Sequence, residues 1–591
     1  MITDKLAAAV RDTLEALCMD GSLSLNNPTA TPISIEIPGR PDHGDYACNV
    51  SLVIAREAGM PPRTVAALIQ ARLAANSDLF ESVTIAGPGF LNMVLNRVWM
   101  RDLLLEISVA GQEYGRSRQY AGERILIEFV SANPTGPISV VNGRAAAVGD
   151  VLANLLQFAG AAVAREFYVN DALNSTQLER FALSVRARYL QELGRPLLIP
   201  PADGSADSVL EAGASGNRDG EPILFPADGY RGEYVRDIAR EVAITAGRAW
   251  ETAPEDEALQ FFRAATLERL VASQRAALLA FGVEFDVWFY ESELYASGAV
   301  DSVINQLKER GCTYELDSAL WIRSSEYGDE KDRVLIRSND KPTYVAADIA
   351  YHHNKFQRGF NHLLDIWGAD HHGYVQRLTA GVTALGYNRE DLEIILHQMV
   401  CLLRNGEAVM GGKRDGVVIE LETDLINVIG RDAARFYFLL ASHDTPATVD
   451  VDLAQRESTE NPVYYVQYAH ARLCNILEKA AAAGILPPTA EDVDPEQLCE
   501  RSERDLARIL AQFPQVCQVA TEMREPHRLT RFCIDLASAL NTFYEHCRVL
   551  PGPGNPQDVD LTRARLALVD GARIVLANAL TLLGVTAPAR M

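Results

Sequence analysis

The stretch from Arg124 to Val169 constrains the fold more than any other part of the chain. RILIEFV (124–130) is a continuous apolar run, the pattern of a strand buried on both faces of a parallel sheet. It enters a Pro/Gly-rich turn, SANPTGP (131–137), then a helical stretch, RAAAVGDVLANLLQFAG (144–160), then a second strand, VAREFYV (163–169). Strand, phosphate-sized turn, helix and strand form the opening unit of a doubly wound nucleotide-binding sheet. The alternation resumes through DVWFY (286–290), RVLIR (333–337), FNHLLDIWG (360–368) and LEIILHQMV (392–400). Residues 1–100 mix helical patterning with short β-rich runs: ISIEI (33–37), and the pair 82–87 and 89–95 joined at Gly87-Pro88-Gly89. From about 462 the pattern is helical, broken by Pro-rich loops near 487 and 551–556. Residues 196–229, rich in Pro, Gly, Asp and Ser, read as a mobile surface insertion. The expected fold class is α/β: a Rossmann-like doubly wound parallel sheet over 120–445, an N-terminal α+β domain over 1–107 and a C-terminal all-α helical bundle over 461–591.

Composition narrows the class. With 591 residues, 48% hydrophobic and 23% charged, the chain is long enough for about three to five domains with cores of their own. No run approaches the roughly 18 uninterrupted apolar residues of a membrane span. The N-terminal MITDKLAAAVRDTLEAL has acids inside its apolar run and reads as an amphipathic helix rather than a signal peptide. The nine cysteines are scattered and form no C-x-x-C, which points to a reducing, cytoplasmic setting and away from a disulfide scaffold or zinc ribbon. A net charge of −24 repels a polyphosphate at long range. The deficit is uneven: residues 461–591 carry 13 Lys+Arg against 15 Asp+Glu, and twelve of those cations are Arg, suited to phosphate and base-stacking contacts. That permits an RNA-binding C-terminal region; a solvated helical surface is the competing reading.

Three places could carry chemistry. Asn133-Pro134-Thr135-Gly136-Pro137 leads through Ile138-Ser139-Val140-Val141-Asn142-Gly143-Arg144 into a helix whose N-terminus suits an anionic phosphate, with a polar-capped structural turn as the lesser alternative. It is not G-x-G-x-x-G, which disfavours a dinucleotide. Gly406–Gly416 sets a Lys413-Arg414 pair among glycines, either a loop closing on a polyphosphate or a surface turn with two solvated cations. Its spacing is not that of a Walker loop. Five of eleven histidines (352, 353, 362, 371, 372) fall in one window beside Asp348 and Asp370. Asp348 and His352 lie one helical turn apart, but no metal-binding pattern is matched, so substrate contacts at the ends of parallel strands are expected and no metal site.

The chain resembles the arginyl-tRNA synthetases, class I aminoacyl-tRNA synthetases, nearly end to end. Pro41-Asp42-His43-Gly44-Asp45-Tyr46-Ala47 and Ala86-Gly87-Pro88-Gly89-Phe90-Leu91-Asn92 are similar to that family's tRNA-contacting N-terminal domain. Glu128-Phe129 with Ser131–Pro137 resembles the run before its HIGH signature. Tyr168-Val169-Asn170-Asp171-Ala172 and Trp367-Gly368-Ala369-Asp370-His371-His372-Gly373-Tyr374 match family segments, and Asn461–Arg472 resembles the start of its helical anticodon-binding domain. The resemblance implies ATP-dependent attachment of arginine to tRNA(Arg) through arginyl-adenylate, with Mg2+ accompanying ATP, no structural metal, no membrane partner and a monomeric chain. By position it implies arginine contacts at Glu128, Asn133, Tyr344, Asp348 and Asp370. It places ATP at Asn133, Pro134, Thr135, Gly136, Pro137, Gly143, Arg144, Lys413 and Arg414, catalysis at Ser139, Asn142 and Lys413, and the anticodon near Tyr465, Gln467 and Tyr468.

Both signatures depart from the family pattern: Ser139-Val140-Val141-Asn142 stands for H-V-G-H, and Met410-Gly411-Gly412-Lys413 for K-M-S-K. Ser and Asn are still donors, but Val141 crowds a position where Gly lets the backbone approach adenine. A non-catalytic paralogue that binds tRNA or arginine without activating it is therefore the alternative.

Overall fold

The buried run at 124–130 becomes β1 (Arg124–Phe129), the middle strand of a five-stranded sheet. The computed structural model describes every residue except 1, 39, 41–42, 77, 173–174, 202–207, 217–220, 410–417, 487–492 and 552–557. The other strands are β2 (Ala162–Val169), β3 (Val287–Tyr290), β4 (His362–Gly368) and β5 (Leu392–His397). All pairings are parallel, in the spatial order β3-β2-β1-β4-β5. This is the doubly wound order: successive strands step one way from β1 through β2 to β3 and the other way from β1 through β4 to β5, and such sheets open a crevice at the carboxyl ends where that order switches, between β1 and β4. RVLIR does not join it: Arg333–Ile336 pairs with Ala319–Ile322 in a separate three-stranded antiparallel sheet.

Helix α1 (Val140–Phe158) follows β1 and begins four residues before its apolar periodicity does, because Ser139 caps it. It lies hard against the sheet: a Cβ on Gly149 would come within 2.3 Å of the Phe129 ring. Helices α2 (Thr176–Glu192), α3 (Glu233–Ala246) and α4 (Glu255–Ala280) follow β2 and precede β3 along the chain, and α5 (Tyr344–Gln357) precedes β4.

The insertion at 196–229 is not the structureless stretch its composition suggests. Leu197–Ile199 pairs with Val209–Glu211 and Ile223–Leu224, and Leu197 and Phe225 are buried. Glu211 anchors this small sheet by accepting from Arg188 of α2 (2.5 Å) and Arg236 of α3 (3.1 Å).

On the N-terminal side, strands Phe80–Ala86 and Phe90–Leu95 form the hairpin expected around Gly87-Pro88-Gly89, within a four-stranded antiparallel sheet. The C-terminal end is all helical: α6 (Pro462–Ala482), then Arg501–Glu522, His527–His546 and Val559–Leu582. These two regions touch directly. Tyr114 is buried, donates to Leu510 O (3.2 Å) and stacks near Phe513, while Asn578 donates to Gly111 O (2.9 Å). One apolar core runs through all three regions, as a chain this long permits.

Candidate active site

The turn after β1 is strained and held in place from three sides. Val130 (φ 69°) and Ser131 (φ 36°) both sit in the left-handed region, unusual for non-glycine residues and especially for a β-branched one. Ser131 Oγ donates to Glu128 Oε1 (2.8 Å) and accepts from the Tyr168 N–H (3.1 Å) at the end of β2. Gln274 of α4 donates to the carbonyls of Asn133 (3.2 Å) and Gly136 (2.9 Å), and Tyr234 of α3 donates to that of Thr135 (3.0 Å). Asn133 is exposed and donates to Gln177 (3.0 Å); Pro134 is buried and Pro137 half-buried.

Ser139 and Asn142 form a reciprocal capping box at the start of α1. Asn142 Oδ1 accepts from the Ser139 N–H (3.1 Å) and Oγ–H (2.7 Å), and Ser139 Oγ accepts from the Asn142 N–H (3.3 Å). The single Ser139 hydroxyl proton is thereby committed, whereas the Nδ2 of Asn142 has no hydrogen-bond partner among the described residues. Immediately after the 410–417 loop the chain zips onto this turn: Val140 N–H donates to Ile419 O (3.0 Å) and Leu421 N–H to Ile138 O (2.9 Å). On the other side of the loop, Val409 N–H donates to Leu402 O (2.9 Å). Lys413 and Arg414 lie outside the described residues.

Beside the turn, acidic side chains gather at the ends of β2 and β3 and on the neighbouring α5. Glu291, the first residue after β3, is buried, and Tyr168 shares a hydrogen bond with it. Burial, with the nearby Asp348 charge, pushes the Glu291 carboxyl up to about 7. Asp348 on α5 accepts from the Tyr374 hydroxyl, and burial raises its carboxyl too. Neither carboxylate has an Arg, Lys or His within ion-pair distance among the described residues. Asp171 accepts from Ser292 N–H (2.8 Å) and Oγ (2.6 Å) on the same rim. Asn170 Oδ1 is buried nearby in sequence without a partner among the described residues.

Glu128 stands apart from that unpaired couple. The sheet register aligns Glu166, Glu128 and Asp365 across β2, β1 and β4, so the three carboxylates share one face. Helix α5 covers them with cations: Lys355 Nζ bonds Glu128 Oε2 (2.5 Å) and Asp365 Oδ1 (2.9 Å), and Arg358 takes Glu166 with both terminal nitrogens (2.5 and 2.8 Å). His352 Nε2 meets Asp365 Oδ2 (2.7 Å). Ligand atoms of Glu128, His352 and Asp365 lie close enough to hold a metal ion, but the Lys355 ammonium is within 3.5 Å of all three residues and supplies the positive charge there.

Several of the sequence-derived site residues lie elsewhere. Arg144 does not face the turn. It is fully buried, and its guanidinium donates to the carbonyls of Gln398 (2.9 Å), Met399 (3.3 Å), Ser442 (2.7 Å) and Thr445 (2.7 Å). Gly143 serves packing, since a Cβ there would sit 2.4 Å from Leu421. Asp370 is exposed, beside His371 (3.6 Å), just past the carboxyl end of β4. Tyr344 is half exposed, one turn from Asp348 on α5.

On α6, Gln467 is committed to Asp432 (2.9 Å) and Thr586 (3.0 Å), and the Tyr465 hydroxyl accepts from Asn541 (2.8 Å). Tyr468 is exposed and stacks parallel to Tyr464 (5.9 Å). Of the histidine group, only His371 and His372 lie at a carboxyl strand end. His352 is buried under the sheet, His353 pairs with Tyr387 (2.8 Å), and His362 opens β4 at the opposite edge.

Sequence reasoning did not single out Glu291, Tyr168, Tyr374 or Asn170 as site residues. Position at the end of a β-patterned run was the only available signal for Glu291.

Residues 4–95 match the family description "Arginyl tRNA synthetase N terminal domain", and residues 466–591 match "DALR anticodon binding domain". The arginine–tRNA ligase of Heliobacterium modesticaldum is 43% identical over 598 residues, covering 100% of this chain and 99% of the relative. That of Kineococcus radiotolerans is 44% identical over 594 residues, covering both chains fully. The Thermus thermophilus arginyl-tRNA synthetase structure superposes with a TM-score of 0.68 at 20% identity, covering both chains fully, which speaks to the fold. No described helix is long and apolar enough to cross a membrane. This full-length likeness to ligases favours the enzyme over a non-catalytic paralogue: the chain belongs to the arginyl-tRNA synthetases, class I ligases that attach arginine to tRNA.

Proposed function

We propose that arginine is activated at the carboxyl edge of the parallel sheet, between the capped turn of α1 and the helix that follows β3. The guanidinium lies between Glu291 and Asp348, with Tyr344 at the mouth of the pocket, and the α-ammonium turns toward Glu128 and Asn133. The observation that carries this reading is a pair of neighbouring carboxylates, Glu291 buried and Asp348 half-buried, with no ion-pair partner among the described residues. Such a site is costly when empty and is relieved by a planar, permanently charged fork. Asp370 and Arg144 take no part in it.

ATP, as its magnesium complex, sets its phosphates against residues 133–137 and the N-terminus of α1. There the helix dipole and Asn142 Nδ2 face the α-phosphate, Ser139 fixes Asn142, and Lys413 and Arg414 close from the loop. The arginine carboxylate attacks the α-phosphorus, the bond to pyrophosphate breaks and arginyl-adenylate forms. A terminal ribose hydroxyl of tRNA(Arg) then attacks the carbonyl carbon, and AMP leaves. Residues 1–107 and 461–591 hold the tRNA on either side of a catalytic region over 120–445, with the Tyr464–Tyr468 pair stacking on unpaired bases. The chain acts as a cytoplasmic monomer.

Charging of total tRNA with labelled arginine and ATP tests the reading. The native chain charges tRNA; Asp348→Asn and Glu291→Gln each raise the arginine KM by about tenfold or more and leave the ATP KM unchanged. An unchanged arginine KM in both variants overturns the placement.

A further inference from the structure

The Lys355 ammonium is completely buried, yet it reaches no pocket and touches no open surface. It lies 2.5 Å from Glu128 and 2.9 Å from Asp365, 4.3 Å from the centre of the Tyr351 ring. A lysine buried only to stabilise the fold is a poor investment, because desolvating it with two acids often does no better than an apolar residue would. What its charge does achieve is local. Glu128 Oε2 takes Lys355, and Glu128 Oε1 takes the Ser131 hydroxyl, the residue that carries the left-handed turn into the nucleotide-binding segment. The same Ser131 oxygen receives the Tyr168 N–H, and Tyr168 bonds Glu291. One ammonium thus fixes a carboxylate bonded to Ser131, and Ser131 in turn links the turn to Tyr168 and Glu291.

We propose that Lys355 is a positioning residue for arginine activation, keeping Glu128 ionised and aimed so that the strained Val130–Ser131 turn and the arginine pocket hold their geometry. The proposal rests on the arginine placement given above. The charged and titratable groups facing Lys355 are Glu128 from β1, Glu166 and Tyr168 from β2, Asp365 from β4, and Asp348, Tyr351, His352 and Arg358 from α5 itself. Asp365 keeps a second hydrogen-bond partner, His352, without Lys355. Arg358 is taken up by Glu166. Glu128 keeps only a hydroxyl. Burial already holds the Glu128 carboxyl above its ordinary range, with the Lys355 charge opposing that rise. Without the ammonium, the rise that burial imposes loses its main opposing charge.

The test is arginine-dependent ATP–pyrophosphate exchange with tRNA present, run from pH 6 to pH 9 on the full chain and on Lys355→Met, Lys355→Arg, Glu128→Gln and the Lys355→Met/Glu128→Gln double variant. Lys355→Met is expected to raise the arginine KM about tenfold or more at pH 7, with the deficit shrinking as pH rises and the ATP KM unmoved, since a one-unit pKa change corresponds to about a factor of ten. Lys355→Arg is expected to restore much of the loss, and the double variant to be no worse than Glu128→Gln alone. A deficit equal at every pH, or additive losses in the double variant, overturns the proposal. Should Lys355→Met fail to fold, the double variant, which buries no unpaired charge, and Lys355→Arg carry the comparison. An unchanged arginine KM in both Glu128→Gln and Asp348→Asn would overturn the pocket itself. A raised KM there with Lys355→Met unaffected would overturn only the role of Lys355.

Discussion

Arginine binding should release a proton, and its strength should follow the ionisation of Glu291. In the empty pocket burial and the Asp348 charge hold this carboxyl at about 7, against about 4.3 for an unperturbed glutamate. A guanidinium pairs with the ionised form only, so the apparent Kd is the intrinsic value multiplied by one plus the ratio of protonated to ionised Glu291. That factor is about 11 at pH 6 and about 1.1 at pH 8, so arginine should bind about tenfold more tightly at pH 8. Proton release should fall from about 0.9 per arginine at pH 6 to about 0.1 at pH 8, with Asp348 adding to release at the acid end. The sign for stability is opposite. The native chain holds this proton to a higher pH than the unfolded chain does, so ionising Glu291 costs the empty protein stability as pH climbs from about 4.3 towards 7. Isothermal titration with arginine in two buffers of different ionisation enthalpy, at pH 6, 7 and 8, reads both quantities. A Kd flat to within about twofold across that range, or uptake of protons on binding, would refute the reasoning. Glu291→Gln should bind arginine weakly and lose most of the pH dependence.

Asn142→Asp keeps the Oδ1 acceptor of the capping box and removes the Nδ2 donor, so adenylate formation should fall by about 10²–10³ with the melting temperature nearly unchanged; a normal rate would remove Asn142 from catalysis. Ser139→Ala loses the cap and should cost about 1 kcal/mol of stability, measured by thermal unfolding, along with part of the rate. Gly143→Ala puts a methyl 2.4 Å from Leu421 and should destabilise the chain by about 1–3 kcal/mol, with Leu421→Ala in the same chain recovering part of it. Tyr468→Ala should weaken tRNA binding by about 1–3 kcal/mol in filter binding without altering arginine affinity.

How much of the site is legible in the sequence depends on which residues must meet. The carboxyl end of β1 and the capped turn follow one another closely enough to be found from pattern. The corrections share another origin. Arg144 reads as a phosphate cation because it follows a helix start, yet its acceptors lie up to 301 residues away in sequence. Gln467 is placed near the anticodon by its position in a family segment, yet Asp432 and Thr586 take its amide.

By itself the sequence determined the local chemistry and the ancestry: a buried parallel strand run, a phosphate-sized turn, a helical C-terminal region and long matched segments. Each of these is written within a few tens of residues, where apolar periodicity and turn residues record what one element buries. Only the tertiary structure decided which charges are paired. It set Glu166, Glu128 and Asp365 abreast in the sheet, joined Lys355 to Glu128 across 227 positions, and left Glu291 and Asp348 together without a cation. A carboxylate's pKa and its vacancy for a ligand are set by the field of its neighbours in space, and sequence order does not record that field.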